Sequence, residues 1–393
     1  MNLHLFKVVF FSFSLIALVT SCKEEEIQEE YVRGGNSLAL SADGNLVVAG
    51  YNTSSSKGYE ATLVFANSSN GDSIWSKRFG GSYADAFYSV KPSNQGGFIA
   101  TGFSNKTSAG SPNMYVVITD GNGNGLKTLT YGGSYYTQGF SVLAHASVDS
   151  GYLVTGYVQK SSSTDRNIYL VRINNDGETL WSKSIGSTSS NPYDTINDAG
   201  YNIIAAADSG YYITGSLNGY SSCCGRIFLM KVSSTGDSLW TKTYNYGIGY
   251  SLTLTSDGGV AIAGSVQETN NQDIILIKTD TAGTLVWAKT YNSTGYEYGA
   301  SMVETSDGGF AITGITDGQG SGSQDVYLIR TNSSGVMLWD ETYGKGGVEQ
   351  GYGLVKMNDG GFGITGLSNS DGSFIFLNRT SENGTQQWVK YFQ

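Results

Sequence analysis

The stretch from Ser256 to Tyr291 reads SDGGVAIAGSVQETNNQDIILIKTDTAGTLVWAKTY, and the same pattern recurs along the chain. It begins with a glycine-rich turn, passes through two apolar runs and ends on a tryptophan followed by lysine and tyrosine. All six tryptophans, and Lys127 once, occupy this position of the repeat: Trp75, Lys127, Trp181, Trp240, Trp287, Trp339 and Trp388. These marks are 52, 54, 59, 47, 52 and 49 residues apart. The chain is therefore a series of seven repeats of about fifty residues.

Each repeat divides into four short strands. In the sixth repeat we predict strand a over 300–305, strand b over 310–313, strand c over 325–331 and strand d over 337–343. The segments that join a to b and c to d are rich in Asp, Asn and Gly, which is typical of tight hairpin turns. This pattern predicts an all-β fold, a seven-bladed β-propeller of four-stranded antiparallel blades. The predicted repeats cover approximately 34–81, 82–133, 134–187, 188–245, 246–293, 294–347 and 348–393.

Two repeated residue types have structural interpretations. An aspartate recurs in the turn between strands a and b, at Asp43, Asp149, Asp208, Asp257, Asp307 and Asp359. Aspartate stabilises such turns by bonding its own backbone, so we interpret this series as turn residues rather than as a site. The tryptophans begin a strand that suits the outer edge of a blade, and we expect each to pack between neighbouring blades as a structural residue.

The repeats also resemble a known group of proteins. Units of the form Asp-Gly-Gly-(aromatic or Val)-x-Ile-x-Gly, then an Asp-led apolar strand, then Gly-x-x-x-Trp-x-Lys-x-Tyr resemble the β-propeller repeats of bacterial secreted and surface proteins. They are more distantly similar to WD-repeat and quinoprotein propellers. The resemblance covers essentially the whole chain after the N-terminal segment. It implies the fold and leaves the function open, because propellers host lectins, hydrolases, dehydrogenases and scaffolds.

The N-terminus has the features of a targeting segment. Residues 1–21 contain a short apolar run and end on small residues directly before Cys22, which is typical of a secretory signal. The segment resembles a bacterial lipoprotein signal, and the resemblance implies that Cys22 is lipidated and anchors the protein to the outer membrane of a Gram-negative bacterium. Residues 22–33 form a predicted tether with an acidic run, Lys23 to Glu30. That run resembles the export signal of surface lipoproteins and predicts a cell-surface location; a plain spacer is the alternative.

Composition excludes several partners and chemistries. The formal net charge is −10 and the basic residues are scattered, so we expect no nucleic-acid partner. His145 is the only histidine after the predicted signal peptide, and it lies near a short turn. The sequence therefore predicts no catalytic triad, metal site or cofactor. We predict a monomer.

The two faces of the predicted disk differ in composition. The a–b and c–d turns lie on one face, here called the turn face, and the b–c and d–a connections lie on the other, the loop face. The loop face combines varied b–c loops with tyrosines in the d–a connections, which resembles a recognition surface. The candidate ligand-binding tyrosines are Tyr83, Tyr88, Tyr135, Tyr136, Tyr193, Tyr250, Tyr296, Tyr298 and Tyr352. Packing between blades is the alternative role for each of them.

Four acidic residues recur at one place in the d–a connections, before the predicted strand a. They are Asp85, Asp198, Glu297 and Glu349. They either ring the mouth of the central channel, where they would bind a cation or a polyol, or cap the backbone amides of their own loops. Cys223 and Cys224 lie in the fourth b–c loop and form either a strained vicinal disulfide or two thiols.

Three functions remain open on this reading. The first is a surface-anchored, non-catalytic binding or adhesion module for a glycan or a protein. The second is a polysaccharide-active enzyme, a hydrolase or a lyase, that uses loop-face carboxylates such as Asp198 and Glu297. The third is a structural envelope scaffold. The first is favoured because the varied loops gather on one face and no catalytic base is evident.

Overall fold

The architecture is that of a computed structural model, which describes residues 34–54, 58–105, 112–145, 151–160, 165–186, 196–220, 225–268, 271–291, 295–370 and 374–392. These residues form 27 strands and no helix. Consequently, no helix long and apolar enough to cross a membrane occurs in the described part of the chain. The predicted signal peptide, lipidation site and tether (residues 1–33) lie outside the described residues.

The first four blades follow the chain from Gly35 to the first half of a long strand, β16. Their strands are β1 Gly35–Leu40, β2 Leu46–Ser54, β3 Gly58–Ala66, β4 Ser73–Phe79; β5 Asp85–Pro92, β6 Phe98–Asn105, β7 Pro112–Thr119, β8 Gly125–Tyr131; β9 Tyr136–His145, β10 Gly151–Gln159, β11 Arg166–Ile173, β12 Thr179–Ile185; and β13 Ile196–Ala205, β14 Tyr211–Tyr220, β15 Arg226–Val232, β16 Ser238–Leu254.

Three further blades complete the ring. The second half of β16 is strand a of blade 5, and the remaining strands are β17 Val260–Glu268, β18 Asn271–Thr279, β19 Leu285–Tyr291; β20 Glu297–Glu304, β21 Phe310–Thr316, β22 Asp325–Thr331, β23 Met337–Tyr343; and β24 Glu349–Lys356, β25 Phe362–Ser368, β26 Phe374–Thr380, β27 Gln386–Phe392. The strands of each blade pair antiparallel in chain order. The predicted all-β, seven-bladed propeller is confirmed.

Strand boundaries differ from the prediction in one systematic way. In blade 6, strands c and d match the prediction, but strand a begins at Glu297 instead of residue 300 and strand b extends to Thr316. The alternation of strand a is broken by one extra residue in each blade, described below, so its first half does not read as a strand in the sequence. Placing Asp85, Asp198, Glu297 and Glu349 in connections before strand a was therefore wrong, because each lies within the first three residues of that strand. Tyr88, Tyr136, Tyr250, Tyr298 and Tyr352 likewise lie in strand a.

The hydrophobic core lies between blades. Seven buried apolar clusters each join two neighbouring blades, one at every junction. Blades 1 and 7 close the ring in this way, with Leu46 and Leu377 both fully buried in one cluster. A single sheet has no interior of its own, so each blade becomes stable by burying both faces against its neighbours.

The repeated Trp-x-Lys-x-Tyr segment of strand d clamps the next blade. In blade 5 the ring of Trp287 lies against Gly335, a glycine with φ of +72° in the c–d turn of blade 6, where a Cβ would lie 2.7 Å from the ring. The Tyr291 hydroxyl donates to the carbonyl of the same glycine at 2.8 Å. At the ring closure, Trp388 lies against Gly71 in the same manner, and Lys390 pairs with Asp72 at 2.8 Å. The six tryptophans thus lie at the junctions between blades.

Blade 2 keeps the clamp without a tryptophan. Lys127 stands in its place and pairs with Asp176 of blade 3 at 3.6 Å. Leu129, two residues later, packs against the turn glycine Gly177, and Tyr131 donates to the carbonyl of that glycine at 2.7 Å. Leu129 therefore packs against the turn glycine of the next blade at the place that a tryptophan occupies at the other junctions.

The turn face carries an ion pair between the turn aspartate and strand c in each of blades 4 to 7. Asp257 accepts from its own turn at Gly259 and from the buried Lys278 of strand c at 2.8 Å. Asp307 does the same with Gly309 and Arg330. The hydrogen bond from Lys278 is the leading cause that lowers the pKa of Asp257 to about 2, and the Thr305 hydroxyl is the leading cause that lowers the pKa of Asp307 to about 2. These turns are structural units.

Candidate functional site: an aromatic collar at the central channel

Every strand a carries one extra residue directly after a pair that contains a glycine of strand b. In blade 5, Gly249 pairs with Gly264 and Ser251 with Ala263, so Tyr250 lies in a β-bulge between them. The bulged residues of the seven blades are Asn36, Tyr88, Phe140, Tyr201, Tyr250, Ala300 and Tyr352. A bulge redirects its side chain, and all seven line the channel at the centre of the ring.

The glycines of the repeat make this bulge possible. Strand b passes the bulge so closely that a Cβ on Gly314 would lie 1.7 Å from the carbonyl oxygen of Tyr298. Gly264 is in the same situation, with Ile248 O at 2.0 Å. The last glycine of the Asp-Gly-Gly-x-x-Ile-x-Gly unit is therefore required by the approach of two backbones.

Five aromatic rings form a continuous arc towards the loop-face end of the channel; four of them line it, and Tyr298 extends the arc through its contact with Tyr250. We call Tyr88, Phe140, Tyr201, Tyr250 and Tyr298 the aromatic collar. Successive ring centroids are 5.4 Å, 4.8 Å, 5.3 Å and 4.5 Å apart, at mutual angles between 24° and 58°. These spacings are those of favourable aromatic pairs. All five rings are half-buried, so the arc keeps part of its surface accessible.

The other side of the collar is polar. Asn36 donates from Nδ2 to the carbonyl of Phe87 at 2.7 Å and so bridges blades 1 and 2. Tyr352 donates its hydroxyl to Gln350. Desolvation, with a smaller contribution from Tyr157, raises the pKa of Tyr88 far above its ordinary value, so this phenol stays neutral. The collar offers uncharged rings and hydroxyl groups.

Below the collar the channel encloses about 570 Å³, a volume typical of small-molecule sites. Ser37, Ser89, Ser251 and Ser301, each directly after a bulge, accept the amide of the next blade's strand a at 3.1–3.3 Å. We call this series the serine ladder. Further towards the turn face the wall is mainly aliphatic and includes Lys91 and Lys356.

The predicted tyrosines divide into two groups. Tyr88, Tyr250 and Tyr298 belong to the collar and Tyr352 lines the channel beside it. Tyr135, Tyr136 and Tyr296 are exposed at 40%, 39% and 54%, and Tyr83 is half-buried. Tyr193 lies outside the described residues. Whether any of them binds a ligand stays a prediction.

Sequence reasoning missed Phe140 and Tyr201, which complete the arc. The available signal was the recurring Gly-aromatic-Ser or Gly-aromatic-Asn triplet, seen at Gly139–Ser141, Gly200–Asn202 and Gly249–Ser251. Because the bulge interrupts the alternation of strand a, these two residues do not stand out in the local pattern.

The four acidic candidates are buried away from the channel. Asp85, Asp198, Glu297 and Glu349 are between 0% and 3% exposed, and none is among the residues that line the channel. Asp85 accepts the amide of Gly81 at 2.8 Å, and Glu349 accepts the amide of Lys345 and the hydroxyl of Ser368. Glu297 accepts the Thr316 hydroxyl at 3.1 Å. The backbone amides accepted by Asp85 and Glu349 match the capping interpretation, and a catalytic role for these carboxylates stays a prediction.

The predicted cysteine pair falls outside the described residues. Cys223 and Cys224 lie in the undescribed part of the fourth b–c loop, so the choice between a disulfide and two thiols stays open. No group of His, Cys, Asp and Glu side chains suited to a metal ion occurs among the residues that the structure describes.

Solved structures share this fold at low sequence identity. The chain is similar to the periplasmic gluconolactonase PpgL of Pseudomonas aeruginosa, with a TM-score of 0.56, 11% identity, and coverage of 89% of this chain and 95% of that chain. It is similar to Sqt1 of Chaetomium thermophilum bound to the N-terminus of the ribosomal protein L10, with a TM-score of 0.52, 10% identity, and coverage of 91% and 88%. The Dos1 propeller gives a TM-score of 0.52, 10% identity, and coverage of 90% and 79%.

These comparisons show the fold alone: the chain is a β-propeller with WD-repeat and related propellers as structural neighbours. No protein-family model matches the sequence, and no curated protein matches it.

Proposed function

We propose that this protein is a non-catalytic binding module that recognises a glycan or a protein at the loop-face end of its central channel. The observation that carries the proposal is the aromatic collar, a continuous arc of five half-buried rings contributed by five blades. Rigid amphipathic rings give contact area at little entropic cost. The concave site below the collar gives a ligand room to enter.

The variation between blades supports a site at this place. The clamp recurs at the blade junctions and the turn ion pairs recur in blades 4 to 7, whereas the bulged residue is tyrosine, phenylalanine, asparagine or alanine. Packing alone would favour one side chain in seven equivalent positions. An uneven set suits a ligand that lacks sevenfold symmetry. Among the neighbours, Sqt1 was solved with a bound protein segment, so a propeller of this shape accommodates a protein ligand.

The collar is tested by truncating it while leaving exposed tyrosines as controls. We expect Tyr201→Ala combined with Tyr250→Ala to abolish binding of the full chain on a glycan array and on an array of secreted proteins. Tyr135→Ala combined with Tyr296→Ala removes two exposed rings outside the collar and should retain binding. Thermal unfolding checks that both variants are folded. Retained binding in the collar variant, or no binding by the parent chain on either array, would contradict the proposal.

We also propose that the module is displayed on the outer surface of a Gram-negative outer membrane through lipid on Cys22. The support is the signal-like segment, the cysteine and the acidic run that follows. Several acyl chains give lasting anchorage because each buried methylene contributes about 0.8 kcal/mol. Labelled palmitate should be incorporated by the parent chain and not by Cys22→Ala. Protease added to intact cells should remove the propeller; protection until the outer membrane is broken would place it in the periplasm instead.

A further inference from the structure

The charge of the channel is opposite to that of the protein. The chain carries 33 acidic and 23 basic residues, yet the only charged side chains among the described residues that line the channel are Lys91 and Lys356. No described carboxylate pairs with either of them. Lys91 is accessible to solvent in the channel, while the surrounding strands desolvate its ammonium group and lower its pKa. A cation held in this way is stabilised by an anion that enters from outside.

The wall between the collar and the lysines consists largely of hydrogen-bond donors and aliphatic groups. Each hydroxyl of the serine ladder accepts a backbone amide, which leaves its own hydrogen as a donor towards the channel. Hydroxyl and ammonium donors suit carboxylate, sulfate or phosphate oxygens. The described lining contains no carboxylate that would repel such a group.

The distance between the aromatic collar and the two lysines sets the length of the ligand. Lys91 is three residues beyond Tyr88 on strand β5, so its Cα lies about 10 Å from that of Tyr88 along the strand. A ligand with one ring at the collar and one anionic group at the lysines must span about two sugar rings. The C–H faces of pyranose rings are apolar and their hydroxyls are polar, which matches the tyrosine rings and the serine donors.

We propose that the central channel binds the acidic end of a glycan, with a pyranose ring on the aromatic collar and a carboxylate held by Lys91, Lys356 and the serine ladder. This inference rests on the proposed function and specifies its ligand. A peptide that ends in a carboxylate is the competing occupant, and it lacks the pyranose rings that the collar and the hydroxyl donors fit.

The test uses digalacturonate and its fully methyl-esterified form, in which each carboxylate is replaced by a neutral methyl ester. Titration calorimetry of the full chain should show that esterification weakens binding about tenfold or more, as expected for the loss of a charge-assisted contact. Lys91→Gln with Lys356→Gln should remove this preference, and Lys242→Gln, a lysine on the outer strand, should retain it. Raising the salt concentration should weaken binding of the charged sugar only.

Three results would overturn the inference: equal affinity for the two sugars, a preference that survives the double lysine variant, or no binding of digalacturonate. A short acidic peptide that binds in its place, and is lost on amidation of its C-terminus, would assign the channel to a protein ligand. In each of these cases, collar-dependent binding on the arrays would still uphold the proposed function. Failure of the collar variants on the arrays would count against both.

Discussion

The turn face and the collar end of the channel are built from the same repeats but follow different rules. On the turn face, Asp257–Lys278 and Asp307–Arg330 form equivalent pairs in successive blades. At the collar, equivalent positions hold tyrosine in one blade and alanine in the next, as at Tyr250 and Ala300. Side chains that contact the same neighbours in each blade recur, and the serines of the serine ladder are among them. The bulged side chains at the level of the collar differ from blade to blade. The comparison separates residues that stabilise the ring from residues that we propose to contact a ligand.

The largest expected effect concerns the clamp between blades. Trp287→Ala removes the ring that packs against Gly335 and should lower the free energy of unfolding by about 3–5 kcal/mol. Val286→Ala changes the neighbouring residue, which is 60% exposed, and should stay within about 0.5 kcal/mol. Urea denaturation of both variants measures the difference. If both variants lost a similar amount of stability, the contact between Trp287 and Gly335 would not be a main source of stability in the repeat.

A smaller effect on the free energy of unfolding is expected at the serine ladder, whose side chains both line the channel and bond the neighbouring blade. Ser251→Ala leaves the buried amide of Met302 without its acceptor, which lies at 3.1 Å in the folded chain. An unsatisfied buried group costs about 1–3 kcal/mol. Thr253→Ala, two residues further along the same strand, is the control. If Ser251→Ala unfolds at the same urea concentration as the parent chain, the ladder has no structural role.

Acid should weaken the turn face in a defined window. The pKa of Asp257 and of Asp307 is about 2 in the folded chain against an ordinary value of 3.8, so the folded state binds fewer protons than the unfolded state. Their contribution is complete above pH 3.8 and is lost as the pH falls towards 2. Both carboxylates are largely exposed, so each contributes at most about 1 kcal/mol.

The measurement is the stability of the parent chain and of Asp257→Asn with Asp307→Asn at pH 5 and pH 2.5. The double variant should lose less stability between these two values. An equal loss would show that the acid sensitivity arises elsewhere.

The smallest effect is expected on the rim of the loop face. Tyr135→Ser and Tyr296→Ser replace exposed rings and should change the free energy of unfolding by less than about 0.5 kcal/mol each. Thermal unfolding checks this value. A loss of more than about 1 kcal/mol in the free energy of unfolding would show that these tyrosines stabilise the fold.

The sequence predicted the number of blades and the course of strands c and d because those features recur with a constant period. Strands β22 and β23 begin and end where the pattern places them. Strand a was predicted poorly because its bulge interrupts the alternation, so Tyr88, Tyr250 and Tyr352 seemed to lie in connections. Phe140 and Tyr201 were missed for the same reason. The pairing of turn aspartates with Lys278 and Arg330 joins strands about 20 residues apart and is not visible in a local pattern.

The ring closes between blades 7 and 1 with the same tryptophan–glycine contact that occurs at five other junctions, here Trp388 against Gly71, and with Lys390 paired to Asp72. Strand β1 begins and strand β27 ends at one junction, on the loop face. The blades follow one another round the ring in chain order, and the ends of the chain lie at only one of seven similar junctions. New ends opened at another d–a connection, with residue 34 joined to residue 392 by a short linker, should give a circular permutant with the same collar and channel. The point at which the ring is opened is thus a property that the chain can change without altering the fold.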